Sequence, residues 1–364
     1  MSRLATPPPT RARMMSVNTA RRATASAASV SGAPSMAKTS KTTALHVRTP
    51  LVKSNALSII NGRDVYLKLE NTQPSGSFKL RGIGRACALA VERDGASILV
   101  SSSGGNAGLA TAYSGQRLGV DVVVYVPETT PERVRKLLAS YGAEVVVSGS
   151  QWSEANAAAM ERAATTGGAL IHPFEGEDTW DGHSSMIDEI AEDLSSMGEG
   201  APAAIVTCVG GGGLLAGVLR GVERAGWIDD VSTIAMETIG AESLHASINA
   251  GELVTLPAIT SVAKSLGAAS PSPKVFAECR ALGPSRVRSY ACTDADAVRA
   301  CLHFADDHRL LVEPACGAAL AAVYAPEIGA LTSVRADGAL VVVVCGGSVI
   351  DRAALDALQA QFQL

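Results

Sequence analysis

Aromatic residues are scarce. Phe, Tyr and Trp make up 4% of the 364 residues, although 47% of the chain is hydrophobic. The apolar content rests largely on alanine, valine and glycine, which suits helices lying close against buried strands. A strong charge of either sign is also missing. The net charge is −4, so the basic footprint of a nucleic-acid binder is excluded. No hydrophobic run is long enough to span a bilayer, and no membrane association is expected. Cysteine occurs seven times, an odd number, with no paired spacing among Cys87, Cys208, Cys279, Cys292, Cys301, Cys316 and Cys345. That speaks against a secreted disulfide framework and for reduced intracellular thiols. The six histidines include no H-x-x-x-H pair, so no zinc site is expected.

Acidic residues are absent from the first 63 positions, Asp64 being the first carboxylate. Residues 1–42 instead carry Arg3, Arg11, Arg13, Arg21, Arg22, Lys38 and Lys41 among Ser, Ala and Thr. This composition fits an organellar transit peptide and equally a disordered tail. The expected location is accordingly mitochondrial or cytoplasmic.

From residue 43 onward a β-α rhythm sets in. Strands are expected at 65–70, 97–101, 120–126, 144–147 and 169–172, with helices at 80–90, 106–118, 131–141 and 154–165 between them. A second series has helices at 182–194 and 214–223 and strands at 204–209 and 232–236. It continues with a strand at 288–291, helices at 294–304 and 314–324, a strand at 339–345 and a last helix to Leu364. Residues 239–284 read as irregular. Leu340 to Val344 are continuously apolar, as in a parallel strand covered on both faces. The pattern predicts an α/β fold with parallel-rich sheets in two lobes and a cleft between them.

Chemistry concentrates where strands end. Pro74-Ser75-Gly76-Ser77-Phe78-Lys79 puts a lysine at the start of a helix, where the positive dipole end depresses an amine pKa and favours anions. A Schiff-base lysine needs that environment, whereas most lysines are merely exposed. Gly210-Gly211-Gly212-Gly213 follows a strand and opens a helix, so its N–H groups can cradle a phosphate. The same stretch, with Ala216 and with Glu237 at the end of the next strand, loosely fits a dinucleotide fingerprint. Ser101 to Gly108 is a second strand-to-helix loop, suited to gripping a carboxylate, with Asn106 placed to bond a cofactor oxygen. Cys345 ends the most apolar strand. His172, His183, His245, His303 and His308 read as satisfied or surface histidines.

Taken in order, S-G-S-F-K-L-R-G, S-S-G-G-N-A-G, G-G-G-G-L-L-A-G and V-C-G-G-S resemble the fold-type II pyridoxal-phosphate (PLP) enzymes, and more narrowly the animal-liver type of L-serine/L-threonine dehydratase. The likeness runs from about residue 43 to the end, through Pro173-Phe174, Trp180-Asp181-Gly182-His183-Ser184-Ser185 and Val312-Glu313-Pro314-Ala315-Cys316-Gly317. It implies a tryptophan synthase β-like fold. Residues 43–75 and 177–364 would form a large PLP-binding domain, and 76–176 a small one. Lys79 would hold the cofactor as a Schiff base and act as base, Phe78 would lie against its ring, and Asn106 would bond its phenolic oxygen. Gly210, Gly211, Gly212 and Gly213 would bind its phosphate, and Cys345 would sit near the ring nitrogen. Ser102, Ser103 and Gly104 would hold the substrate carboxylate. Gly210, Glu237, Ala241, Leu266 and Ala268 would form a monovalent-cation site, for K+. A homodimer is implied.

The resemblance predicts β-elimination of L-serine to pyruvate and of L-threonine to 2-oxobutyrate, each with ammonia. No carboxyl in these motifs is expected to face the leaving hydroxyl, so the cofactor phosphate is taken as its acid. A neutral thiol at Cys345 cannot hold the ring nitrogen protonated as a carboxylate would, which disfavours long-lived carbanions. Serine racemases of this fold carry serine where Gly104 stands, so negligible racemisation is expected. Liver-type members carry alanine there. A β-replacement or threonine synthase-like enzyme is the nearest alternative. An NAD-dependent oxidoreductase is a third reading, but leaves Lys79 and the serine loop without a role. No regulatory domain, and hence no control by isoleucine, is expected after the last helix.

Overall fold

Periodicity switches repeatedly between two and 3.6, and the chain folds accordingly. A computed structural model describes residues 42–364 apart from Ser333. The expected extension at 1–42 therefore lies, up to residue 41, outside the described residues. The strands are β1 (Leu51–Lys53), β2 (Val65–Lys68), β3 (Ile98–Ser101), β4 (Asp121–Val126), β5 (Glu144–Val147), β6 (Ala169–Leu170), β7 (Ala204–Cys208), β8 (Ser232–Thr238), β9 (Val287–Cys292) and β10 (Leu340–Val343). The helices are α1 (Asn55–Asn61), α2 (Lys79–Glu92), α3 (Asn106–Leu118), α4 (Glu132–Ser140), α5 (Trp152–Thr166), α6 (Glu177–Ser196), α7 (Gly213–Arg224), α8 (Ser243–Ala250), α9 (Pro273–Leu282), α10 (Asp294–His308), α11 (Pro314–Tyr324) and α12 (Arg352–Phe362).

Two sheets result. The larger runs β1-β2-β10-β7-β8-β9 and is parallel except for β1 against β2. The smaller runs β5-β4-β3-β6 and is parallel throughout. Every strand of the smaller sheet falls within residues 76–176, and every strand of the larger falls outside it. β10 lies in mid-sheet with all four side chains buried, which its unbroken apolar sequence demands. Behind it α11 is buried from Pro314 to Val323. Its alanines and Gly317 let α10 approach closely, since a side chain at 317 would collide with the Ala297 carbonyl.

Three departures from the sequence reading have physical causes. Residues 239–284 are not all irregular, because α8 and α9 form there. Glu242 gives α8 no side-chain cap; its first N–H groups are met instead by Glu237 at the end of β8, a partner that local sequence cannot reveal. α6 begins at Glu177 rather than Gly182. Gly182 is no boundary but the crossing point with α2, where a Cβ would come within 2.7 Å of Gly82 Cα. Finally, α1 has Ser54 accepting from Leu57 N–H and Gly62 in left-handed geometry, boundary signals around only seven residues.

Candidate active site

Lys79 is the first residue of α2. The chain leading to it is stapled to the loop after β10. Phe78 N–H donates to Cys345 O at 3.1 Å, Gly347 N–H to Gly76 O at 3.0 Å, and the Ser348 hydroxyl to Ser75 O at 2.8 Å. Nζ donates to Pro173 O at 2.6 Å. Part of the Lys79 side chain stays accessible, while burial around the amine lowers its pKa to about 8. The amine sits 5.1 Å from the centroid of the Phe78 ring, whose other neighbour is His183 at 4.9 Å.

The glycine turn reaches the same place from the large sheet. It links the end of β7 to α7, whose N-cap, Gly212, offers no side-chain cap. The φ of Gly212 is +96°, which only glycine adopts without strain. A side chain at Gly211 would overlap the Phe174 ring, and one at Gly213 would come within 2.6 Å of Phe174 O. Phe174 follows Pro173, the residue that receives the Lys79 amine. Amine and turn therefore meet across one dipeptide, which Trp180 Nε1 anchors by donating to Phe174 O at 2.7 Å.

Asn106, first in α3, is drawn in from the small sheet. Its Oδ1 accepts from Ser348 N–H at 3.0 Å, and its Nδ2 donates to Glu313 Oε1 at 2.9 Å. The sequence pattern assigns Glu313 no role and predicts no carboxyl facing this chemistry, yet the structure places one there. It stands just before α11, far along the chain, and its one sequence signal was its place inside a matching motif. Burial pushes its carboxyl up to about 7. Ser102 donates to Asn156 Oδ1 at 2.7 Å, and Ser103 Oγ accepts from Gly105 N–H at 3.2 Å. A side chain at Gly104 would meet the Thr130 hydroxyl at 2.8 Å.

Cys345 is buried with its sulfur 3.4 Å from that of Cys208. Hydrogen bonding with Cys208 and Cys316, then burial, hold its thiol well above the ordinary value, so it is neutral. Glu237 stands apart in role. Both its oxygens accept from the start of α8, Leu244 N–H at 2.9 Å and His245 N–H at 2.7 Å, and burial raises its carboxyl to about 8. Gly210 does lie against the Leu266 backbone, but the Leu266 carbonyl accepts from Ala268 N–H at 2.7 Å. Among the described residues, no group of three or more His, Cys, Asp or Glu side chains could hold a metal ion.

These groups match what PLP offers chemically. Some buried hydrogen-bonding capacity is unoccupied: the hydroxyls of Ser75 and Ser77 in the loop leading to Lys79, that of Thr207 on β7, and Oε2 of Glu313, whose charge acts on the Lys79 amine. Buried polar atoms are rarely left so. Bare helix-start N–H groups at Gly213 suit a phosphate, the Lys79 amine an aldehyde, Asn106 a phenolic oxygen, and the neutral Cys345 thiol a ring nitrogen. The residues present fit the group.

Comparison with known proteins follows the same boundaries. The family profile described as pyridoxal-phosphate dependent enzyme matches residues 42–346. The "Serine dehydratase-like" protein of Rattus norvegicus is 48% identical over 320 residues, covering 87% of this chain and 94% of the relative. The "L-serine dehydratase/L-threonine deaminase" of Mus musculus is 47% identical over 331 residues, covering 88% and 97%. A solved fungal L-serine ammonia-lyase from Rhizomucor miehei is similar at a TM-score of 0.80 and 37% identity, over 87% of this chain and 99% of that one. Lysine, glycine turn and asparagine thus lie inside one matched span as well as at one place in the fold, and the chain belongs to the pyridoxal-phosphate dependent enzymes.

Proposed function

We propose that this chain is an L-serine/L-threonine ammonia-lyase, forming pyruvate and ammonia from L-serine and 2-oxobutyrate and ammonia from L-threonine. Bound PLP supplies the electron sink that makes the α-proton of an amino acid removable. The carrying observation is the Lys79 amine: it is buried, lowered to about 8, and set beside a glycine turn that can take an anion. An amine with that pKa is neutral in part at physiological pH, as a general base must be. The turn from Gly210 to Gly213 would anchor the phosphate, Asn106 the phenolic oxygen and Cys345 the ring nitrogen. Ser102, Ser103 and Gly104 would grip the substrate carboxylate at the start of α3, with Asn156 fixing the Ser102 hydroxyl. Gly104 itself carries no acid or base, so racemisation is negligible in this reading. The similar proteins named for serine and threonine support the substrate class. Homodimer assembly, a K+ ion at the Gly210–Glu237 region and a cytoplasmic or mitochondrial location belong to the same reading.

Purified protein loaded with PLP tests it. Pyruvate from L-serine and 2-oxobutyrate from L-threonine are expected, together with a visible absorbance band lost on borohydride treatment. Release of neither keto acid, with the band present, moves the chain to another reaction on the same cofactor.

A further inference from the structure

Glu313 has the extended backbone of a helix N-cap, with φ −80° and ψ 161°, yet its carboxyl does not cap α11. It turns instead to Asn106, whose Nδ2 donates to Oε1 at 2.9 Å. The residue is 4% exposed; the Ser265 hydroxyl also acts on its carboxyl, and Oε2 has no partner within hydrogen-bond geometry. On the far side of the amide, Ser348 N–H donates to Asn106 Oδ1 at 3.0 Å. A backbone N–H can be received only by the amide oxygen, and a carboxylate only by the amide nitrogen. The two neighbours therefore fix which way Asn106 faces. If the amide turned over, Nδ2 would meet Ser348 N–H and Oδ1 would meet Glu313, leaving two buried pairs mismatched.

One Nδ2 hydrogen is used on Glu313. The other has only the Ser265 hydroxyl at 3.4 Å, a distance too long for a strong bond. The lock also spans three separate parts of the chain: α3, the start of α11 and the loop after β10. Gly347 in that loop has φ +131°, and a side chain there would overlap the Glu313 carboxyl. The loop thus reaches Asn106 only because residue 347 is glycine. A proton on the free Oε2 would leave Oε1 an acceptor, so the lock holds whether or not the carboxyl is ionised.

We propose that Glu313 is a positioning residue: by holding one Asn106 Nδ2 hydrogen opposite the Ser348 N–H, it keeps the second available to the phenolic oxygen of PLP. This rests on the cofactor reading above. The test compares the wild type with Glu313→Gln and Glu313→Ala, each stripped of PLP and titrated with it. The readouts are affinity, the visible absorption maximum of the loaded protein, and thermal midpoint. Glu313→Ala should bind PLP about tenfold more weakly, the loss of one oriented hydrogen bond, and its absorption maximum should shift. Glu313→Gln keeps an acceptor and should restore both to near wild type. A merely structural role would lower the midpoint and leave the absorption maximum where it was. An unshifted maximum in Glu313→Ala overturns the proposal, as does a Glu313→Gln variant as perturbed as Glu313→Ala. If Glu313→Ala does not fold, Glu313→Met, close in volume and without an acceptor, takes its place with the same two outcomes. A wild type that shows no band with PLP ends the cofactor reading itself, a result distinct from a normal wild type with unperturbed variants.

Discussion

Lys79 and Arg81 stand two residues apart on the first turn of α2, and both carry charge into the interior, but their surroundings differ in kind. Arg81 is fully buried and fully paired. It donates to both oxygens of Glu70 at 2.8 Å, to Glu189 at 2.7 and 2.8 Å, and to Ser185 at 3.0 Å. Lys68 completes the cluster, donating to Glu189 at 2.6 Å and Thr49 O at 2.8 Å. Two cations thus face two carboxylates, with every nitrogen of the Arg81 guanidinium engaged. Lys79 has one carbonyl for a partner, and two groups that interact electrostatically with it, Glu313 and His183, each keep a buried polar atom unpaired. A saturated cluster ties α2, α6, β2 and the strap at Thr49 together and leaves nothing for a ligand. An undersaturated one is maintained only because that framework holds it, and its spare capacity is what a ligand takes up.

The largest test of this contrast is Lys79→Ala. Activity should fall by on the order of 10³ or more, since both the Schiff base and the base are lost, while the thermal midpoint should hold or rise because a poorly paired buried amine is gone. A variant that loses stability but keeps turnover would reverse the two roles. Arg81→Met should behave oppositely. It leaves Glu70 and Glu189 facing each other without their common partner, and unfolding measurements should show a loss of about 3–5 kcal/mol. A loss under about 1 kcal/mol would mean the cluster is not the framework. A smaller effect is expected from pH. The amine reacts only when neutral, so capture of a small aromatic aldehyde at Lys79, trapped by borohydride, should rise with pH through about 8. An ordinary lysine rises near 10.4, so at neutral pH the free-amine fraction here is greater by roughly 10². Mapped labelling with a midpoint above 10 would show that burial does not tune this amine.

Much of this was legible in the chain. The alternation of strands and helices, the lysine opening α2, the glycines after β7 and the asparagine opening α3 are local patterns, and the structure draws them together around Phe174 and Ser348. Glu313, Phe174 and Asn156 were given no role because each acts on a residue distant in sequence. Glu313 in particular resembles an ordinary residue before a helix-opening proline, and only the turn of its side chain away from α11 shows otherwise. Of the helices within 239–284, α8 has its cap from β8, a distant partner, whereas α9 carries a local signal, Ser272 accepting from Val275 N–H just ahead of Pro273.

Outside 239–284, sequence by itself determined most of the strands and helices and which residue types sit at the strand ends, because periodicity and turn chemistry are properties of neighbouring residues. Tertiary structure alone decided which polar groups find partners. Arg81 and Lys79 have the same local setting, and only the arrival of Glu70 and Glu189 beside one and of Pro173 beside the other makes the first a strut and the second a reactive amine.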